Sequence, residues 1–370
     1  MPLGIYVHIP FCRQKCLYCD FNSYAKKEKW INPYCSALKK EINGFSADQT
    51  VDTVYFGGGT PTCIGVGRLK DLLCTVKEHF TLTRQCEITA ECNPGTIDFE
   101  GLKTLFNAGF NRLSLGLQST DDAMLKRLGR IHCYTDFTRC YQWARAAGFQ
   151  NISVDLMYGL PEQSVAMWKK TLKEVVLQNP EHLSCYALKV EEGTPFYSLP
   201  LQLPDDDTVR TMYDTCVDFL KSAGYERYEI SNLAKPGLES RHNLKYWQCD
   251  DFIGFGAGAY SCIAAQRFHN VLPIETYCET IENKCSAADG TTETLSLSDQ
   301  MSEFCFLGLR TSKGICADEF YQRFQRRIED VYGDVLSKNL KRGTMVYQNH
   351  RYRIPDSWIY VSNTILSDFV

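Results

Sequence analysis

The sequence predicts an α/β chain: six strands in a parallel βα array, followed by a small α+β appendage. Segments rich in β-branched and apolar residues recur six times, and a helix-periodic stretch fills every gap between them. Glycine also stands just past two of those helices, where a left-handed cap residue is wanted.

The first strand is GIYVHIP (4–10); beyond a cysteine-rich loop, PYCSALKKEINGF (33–45) spaces its apolar residues three and four apart, as one helix face requires. TVYFGGG (53–59) is the second strand and GRLKDLLCTVKEHF (67–80) its helix. EITAECN (87–93) then leads into FEGLKTLFNAG (99–109), and RLSLGLQ (112–118) into YTDFTRCYQWARAAG (134–148). Gly109 and Gly148 end these helices and the next strand follows within a few residues, which fixes the βα register. ISVDLMYGL (152–160), MWKKTLKEVVLQN (167–179) and LSCYALKV (183–190) complete the array.

The pattern then changes. PDDDTVRTMYDTCVDFLKSAG (204–224) reads as a long amphipathic helix, and the alternating glycines of IGFGAGAYSC (253–262) require close backbone approach to a ligand or to a neighbouring strand. SDQMSEFCFLGLR and DEFYQRFQRRIEDVYG read as short helices, and MVYQNHRYRIPD (345–356) as part of a hairpin. Three segments are expected: 1–200, 201–297 and 298–370.

With 370 residues, 44% hydrophobic and 23% charged, the chain can bury one large core and one or two small ones. A net charge of −4 and a pI near 6.0 give no general attraction to nucleic acid or to an anionic membrane. No apolar run approaches the ~20 residues that span a bilayer, and MPLGIYVHIPFC has neither the basic region nor the long apolar stretch of a signal peptide. The expected location is cytoplasmic. Most of the 18 cysteines fall in apolar or helical patterns and read as small buried hydrophobes in a reducing compartment.

Cys12, Cys16 and Cys19 differ, following the first strand as C-x3-C-x2-C. Unequal gaps suit a loop wrapped around a polyhedral cluster better than one helix face. A structural zinc would need four ligands, usually as two pairs, and no second pair exists; an odd local count argues against disulfides. Three thiolates on a four-iron cube leave one iron open to an exchangeable ligand.

In parallel βα barrels, chemistry gathers at the C-terminal ends of the strands. The second strand ends in GGGTPT (57–62), a turn or a ligand seat, with no GK[ST] to make a phosphate loop. Glu91 in TAECNPG could accept hydrogen bonds from ribose hydroxyls or be a plain loop acid. Gln118 in LGLQS and Arg130 in RLGRIH are open to ligand or structural roles, whereas Asp155, inside an apolar run, needs a partner or a ligand.

In this context C-x3-C-x2-C resembles the signature of radical S-adenosylmethionine (SAM) proteins. YVHIPFC (6–12), GGGTPT (57–62), the spacing from Gln118 to Arg130 and VDLMYGLPEQ (154–163) further resemble the family containing oxygen-independent coproporphyrinogen III oxidase and HemW-type proteins. The resemblance covers nearly the whole chain. It implies a partial (β/α)6, TIM-like barrel, a winged-helix-like C-terminal domain, and a [4Fe-4S] cluster on Cys12, Cys16 and Cys19 whose open iron SAM chelates. It also implies SAM contacts at Tyr6, Gly58, Gly59, Thr60, Glu91, Gln118, Arg130 and Asp155.

Oxidases of that family carry a fourth cysteine two residues after the third, and a longer segment before the motif. Here Asp20 and Phe21 follow Cys19, and the first strand begins near residue 3. HNLKYW (242–247) resembles the HNxxYW pattern of the HemW-type proteins, which is linked there to haem. His242 can offer an imidazole to haem iron, with Tyr246 and Trp247 as flat apolar surface; the plain alternative is a hydrogen-bonded histidine beside packed aromatics. The expectation is a haem chaperone that binds haem and passes it to an unidentified acceptor protein. The alternative is a radical SAM oxidoreductase acting on a porphyrinogen. No nucleic-acid partner is expected, because Lys338, Lys341 and Arg342 of the appendage are balanced by Glu319, Glu329 and Asp334.

Overall fold

The alternation of strand and helix closes into a half-open barrel in the computed structural model, which describes residues 2–46, 49–284 and 287–370. Six strands lie side by side in parallel: β1 Leu3–Ile9, β2 Val51–Gly58, β3 Leu82–Cys92, β4 Arg112–Gln118, β5 Ile152–Tyr158 and β6 His182–Ala187. Helices cross between them: α1 Ile31–Gly44, α2 Val66–His79, α3 Phe99–Ala108, α4 Asp122–Arg127, α5 Tyr134–Ala147 and α6 Val165–Val176. Asp98 caps α3 by accepting from the Gly101 amide at 2.9 Å. Gly109 and Gly148 end α3 and α5 with φ of 105° and 115°, as their place in the sequence predicts.

Along each strand the side chains alternate between two environments. Outward residues such as Val54, Phe56, Leu113, Leu115, Val154 and Leu156 are fully buried. They pack under helix faces like that of α2, where Leu69, Leu72, Leu73 and Val76 are buried as well. Each such burial contributes about 1.5–3 kcal/mol. Inward residues are largely polar: Thr53, Tyr55, Glu87, Glu91, Arg112, Ser114, Ser153, Asp155, His182 and Ser184. An interior this polar is built for a ligand, because packing alone would fill it with Val, Ile and Leu.

The sheet does not end with the array. After α7, Asp206–Ser222, strands β7 Glu226–Arg227 and β8 Asn232–Ala234 add antiparallel beyond β6. The chain then passes beneath the barrel as α8, Arg241–Trp247, and emerges as β9 Phe252–Phe255, parallel to β1 on its free side. Strands β10 Tyr260–Ile263, β11 Gln266–Asn270 and β12 Ala288–Thr294 continue from there, making twelve in all. The glycines of 253–262 therefore serve neighbouring backbone: a Cβ at Gly254 would stand 2.2 Å from the Tyr260 carbonyl oxygen.

Helix α8 is the barrel floor. The Glu87 carboxylate accepts from the backbone N–H groups of Arg241 and His242 at 3.2 and 3.1 Å. Lys245 Nζ reaches Asp52 at 2.8 Å and the Pro2 carbonyl at 2.8 Å. All of these lie toward the N-terminal ends of the strands.

Following α9, Ile274–Lys284, the C-terminal domain is α+β and winged-helix-like. It comprises α10 Leu297–Gly308, α11 Ala317–Phe324, α12 Ile328–Arg342 and strands β13 Ile315–Cys316, β14 Val346–Gln348 and β15 Arg351–Arg353, ordered β13-β15-β14. It grips the floor: the Arg310 guanidinium lies 4.9 Å over the Trp247 ring, and Arg323 donates to the carbonyls of Gln248 and Cys249 at 3.1 and 2.5 Å. Among the described residues no helix is long and apolar enough to cross a membrane.

Candidate functional site

The C-terminal ends of the six parallel strands surround a cavity of about 370 Å³. The loop after β1 runs across its mouth and is stitched to the barrel on both sides. On one side the amides of Gly59 and Thr60 donate to the carbonyls of Ile9 and Phe11 at 2.9 and 2.8 Å. A Cβ at Gly59 would stand 2.8 Å from the Phe11 oxygen and 2.9 Å from Cys12 Sγ, so glycine is what lets the two segments meet. On the other side the Leu17 amide donates to Leu128 at 3.0 Å, and the Leu17 carbonyl accepts from Phe196 at 3.0 Å.

Cys12, Cys16 and Cys19 all line this cavity, half-buried and free of disulfides. Thr60 Oγ1 donates to Cys12 Sγ at 3.8 Å, and Arg130 Nη1 to Cys16 Sγ at 3.4 Å. Cys19 Sγ lies 3.8 Å from Ser23 Oγ, and its amide donates to the Cys16 carbonyl at 3.2 Å. Burial pushes the Cys12 thiol up to about 11 and raises that of Cys19 as well, so the protein alone keeps these two protonated, and a cluster bound there would supply the positive charge that favours thiolates. Among the described residues no three Cys, His, Asp or Glu side chains converge to hold a metal ion. Thiols spread around one cavity fit a cubane, in which each iron takes its own thiolate.

Deeper in the cavity stand the acids. Glu91 accepts from the Tyr55 hydroxyl at 2.9 Å and from the Gly58 amide at 3.0 Å. Burial first, and then the Asp155 charge, push its carboxyl up to about 7. Burial also raises Asp155, against the pull of hydrogen bonds from Ser184 and from Ser114, whose hydroxyl lies 3.0 Å away. Arg130 Nη2 donates to Asn93 Oδ1 and to the Gly116 carbonyl, both at 2.5 Å. Gln118 sits at a bulge in β4 with φ of 73°, and its side chain joins the lining. Gly58, Gly59, Thr60, Glu91, Gln118, Arg130 and Asp155 are thus brought together with the three cysteines.

Two sequence-predicted residues are not brought there. Tyr6 lies below the cavity, with its hydroxyl 3.1 Å from His8 Nδ1 and its ring 6.1 Å from that of Tyr55. His242 lies lower still, on α8, and is only 1% exposed. Its Nδ1 is 2.9 Å from Thr53 Oγ1, its Nε2 is 2.8 Å from the Tyr246 hydroxyl, and its ring stacks 5.2 Å from Tyr55. Burial, aided by Lys245 and Arg112, drives its pKa down to about 3, so this is a neutral histidine with both nitrogens taken. In this arrangement it offers nothing to an iron.

The cavity also holds residues that sequence reasoning missed: Asn93, Arg112, Ser114, His132, Ser184 and Asn243. Asn93, Ser114 and Ser184 could have been found by following the inward parity of the strands. Arg112 is 2% exposed and its Nε has no partner. His132 lies two residues beyond Arg130, inside a motif already singled out, yet its surroundings show only in three dimensions.

Residues 6–175 match the Radical SAM superfamily, and residues 295–357 the HemN C-terminal domain. A solved structure of coproporphyrinogen III oxidase (HemN) from Escherichia coli superposes with a TM-score of 0.88 over 100% of this chain and 90% of that one, at 23% identity, a likeness of fold. The heme chaperone HemW of Lactococcus lactis subsp. lactis is 32% identical over 100% of this chain and 97% of its own. That of Bacillus subtilis is 36% identical over 94% and 96%, and that of Escherichia coli 41% identical over 70% of each chain. With the three-cysteine loop across the mouth of a half-open barrel and likeness sustained over the full length, the chain belongs to the heme chaperone HemW family of radical SAM proteins.

Proposed function

We propose that this protein is a haem chaperone: it binds haem, passes it to an acceptor protein, and works in the cytoplasm. Cys12, Cys16 and Cys19 would hold a [4Fe-4S] cluster, and Gly58, Gly59, Thr60, Glu91, Gln118, Arg130 and Asp155, which line the same cavity, would seat SAM beside it. When bound, the cluster supplies an iron with an open position and a source of single electrons. The chain's own part is to keep the three thiols on one stitched loop, to hold Arg130 against Cys16, and to present two buried acids to a ligand.

The observation that carries the reading lies at the end of the loop. Where the family's oxidases place a further cysteine, this chain has Phe21, which lines the cavity mouth and is 64% exposed. A large apolar side chain there suits a flat apolar cargo better than it suits a fourth thiol. The test is a pair of measurements on reconstituted protein: haem uptake followed by its Soret band, and conversion of coproporphyrinogen III under anaerobic reduction. Tight haem uptake with no conversion supports the chaperone; conversion at oxidase rates would sink it.

A further inference from the structure

A charge buried in a folded protein is normally paired, because an isolated one is costly to desolvate. Arg112 departs from that rule. It is 2% exposed, its Nε has no hydrogen-bond partner, and among the described residues its guanidinium enters no ion pair. Strand register shows where it stands. β4 runs between β3 and β5, with Ser114 beside Glu91 on one side and Gly116 beside Asp155 on the other. Arg112 is two residues nearer the N-terminal end of β4 than Ser114, on the same inward face, and its long side chain still lines the cavity. Its register partner Thr89 leaves its own buried Oγ1 unpartnered, so the barrel wall does not satisfy the guanidinium.

The two acids above it are equally unspent. Glu91 accepts from Tyr55 and Gly58, and Asp155 from Ser114, but among the described residues neither is in an ion pair. Burial raises both carboxyls, and the Asp155 charge raises Glu91 further; Arg112 pulls both back down, joined by Arg130 at Asp155. The other titratable groups facing the acids are neutral near pH 7. Burial holds the hydroxyls of Tyr6 on β1, Tyr55 on β2, Tyr186 on β6 and Tyr246 on α8 above their ordinary value. The Cys185 thiol is raised too, by its hydrogen bond with Cys216 and by burial. His132, His182 and His242 are all lowered by burial. Between about pH 6 and 9, then, Glu91 and Asp155 are the groups in this layer that change charge.

We propose that Arg112 is a positioning residue of the SAM site: its unpaired guanidinium supplies the positive charge beneath Glu91 and Asp155 that keeps both as carboxylates, open to hydrogen bonds from the cofactor. This assignment rests on the reading of the cavity as the seat of SAM. A carboxylate offers acceptors on both oxygens, whereas its protonated form turns one of them into a donor.

The test is SAM affinity from about pH 6 to about pH 9, measured by titration calorimetry on full-length protein with its cluster reconstituted. Without the cation the acids hold their protons to higher pH. Arg112→Gln should therefore bind SAM at least about tenfold more weakly at pH 7 and recover toward wild type near pH 9. Arg112→Lys keeps the charge and should keep the midpoint of the wild-type pH profile. Circular dichroism and iron content identify a misfolded variant. Arg112→Met, which puts an apolar side chain in place of an unpaired buried charge, repeats the measurement should Arg112→Gln be unstable. A loss of affinity equal at every pH would make Arg112 a packing residue or a direct donor and overturn the proposal, as would unchanged affinity in Arg112→Gln. Wild-type protein that binds no SAM at any pH would instead overturn the reading of the cavity.

Discussion

Glu91 and Glu41 are two buried acids whose folded pKa values rise from 4.5 to about 7, in both cases chiefly through burial. Glu41 accepts from the Gly256 amide, the Asn270 amide group and the Tyr277 hydroxyl, and so joins α1 to the sheet beyond β1. For an acid with a raised folded pKa, the native state binds the proton more tightly than the unfolded chain does. Its stabilising contribution is therefore full below about pH 4.5 and lost as pH rises through about 7. The thermal midpoint of cofactor-free protein should carry a downward component across that window, and Glu91→Gln should flatten it; an unchanged slope would refute the shift. At Cys16, replacement by serine should leave the fold intact by circular dichroism and cut bound iron to near zero after reconstitution. The cysteines, Glu91 and Asp155 were legible because a thiol triplet and an acid in an apolar run are chemically conspicuous. Arg112 was not, because what sets it apart is a missing partner, and only assembled neighbours reveal that.

The elements were legible where local periodicity decides them. All six strands of the array, five of the helices between them and both glycine caps lie where spacing puts them, whereas α4, only six residues long, is not read from sequence. What escaped is what depends on distant partners: HNLKYW is assigned no element from sequence, and its place as the floor helix α8 shows only where Thr53, 189 residues away, meets His242. β9, too, is a strand only because β1 has a free edge. Two substitutions probe these elements. Gly59→Ala should push the cysteine loop off β2 and lower iron content, with a stability loss of about 1–3 kcal/mol by denaturant titration. His242→Ala removes two hydrogen bonds and a stacked ring from the floor and should destabilise the fold by about 2–4 kcal/mol. If His242→Ala were as stable as wild type, the floor role given to α8 would be wrong.

On the scale of the whole molecule, the cluster loop ties the ends of β1 and β2 to the segments that carry Leu128 and Phe196, so filling it should stabilise the barrel. Reconstituted protein should melt several degrees above cluster-free protein, and an iron chelator under oxidising conditions should erase the difference. Equal midpoints would mean the loop is already rigid without iron. The C-terminal domain shares in this, since Arg310 and Arg323 hold the segment that closes the barrel from below. That closure has a consequence for traffic. With α8 seated against Glu87, Asp52 and Thr53, the cavity is floored toward the N-terminal ends of the strands and opens at their C-terminal ends, beside the cysteine loop. Haem bound at that end would lie beside the cluster loop, so under the chaperone reading delivery and receipt would share the face that carries Cys12, Cys16 and Cys19.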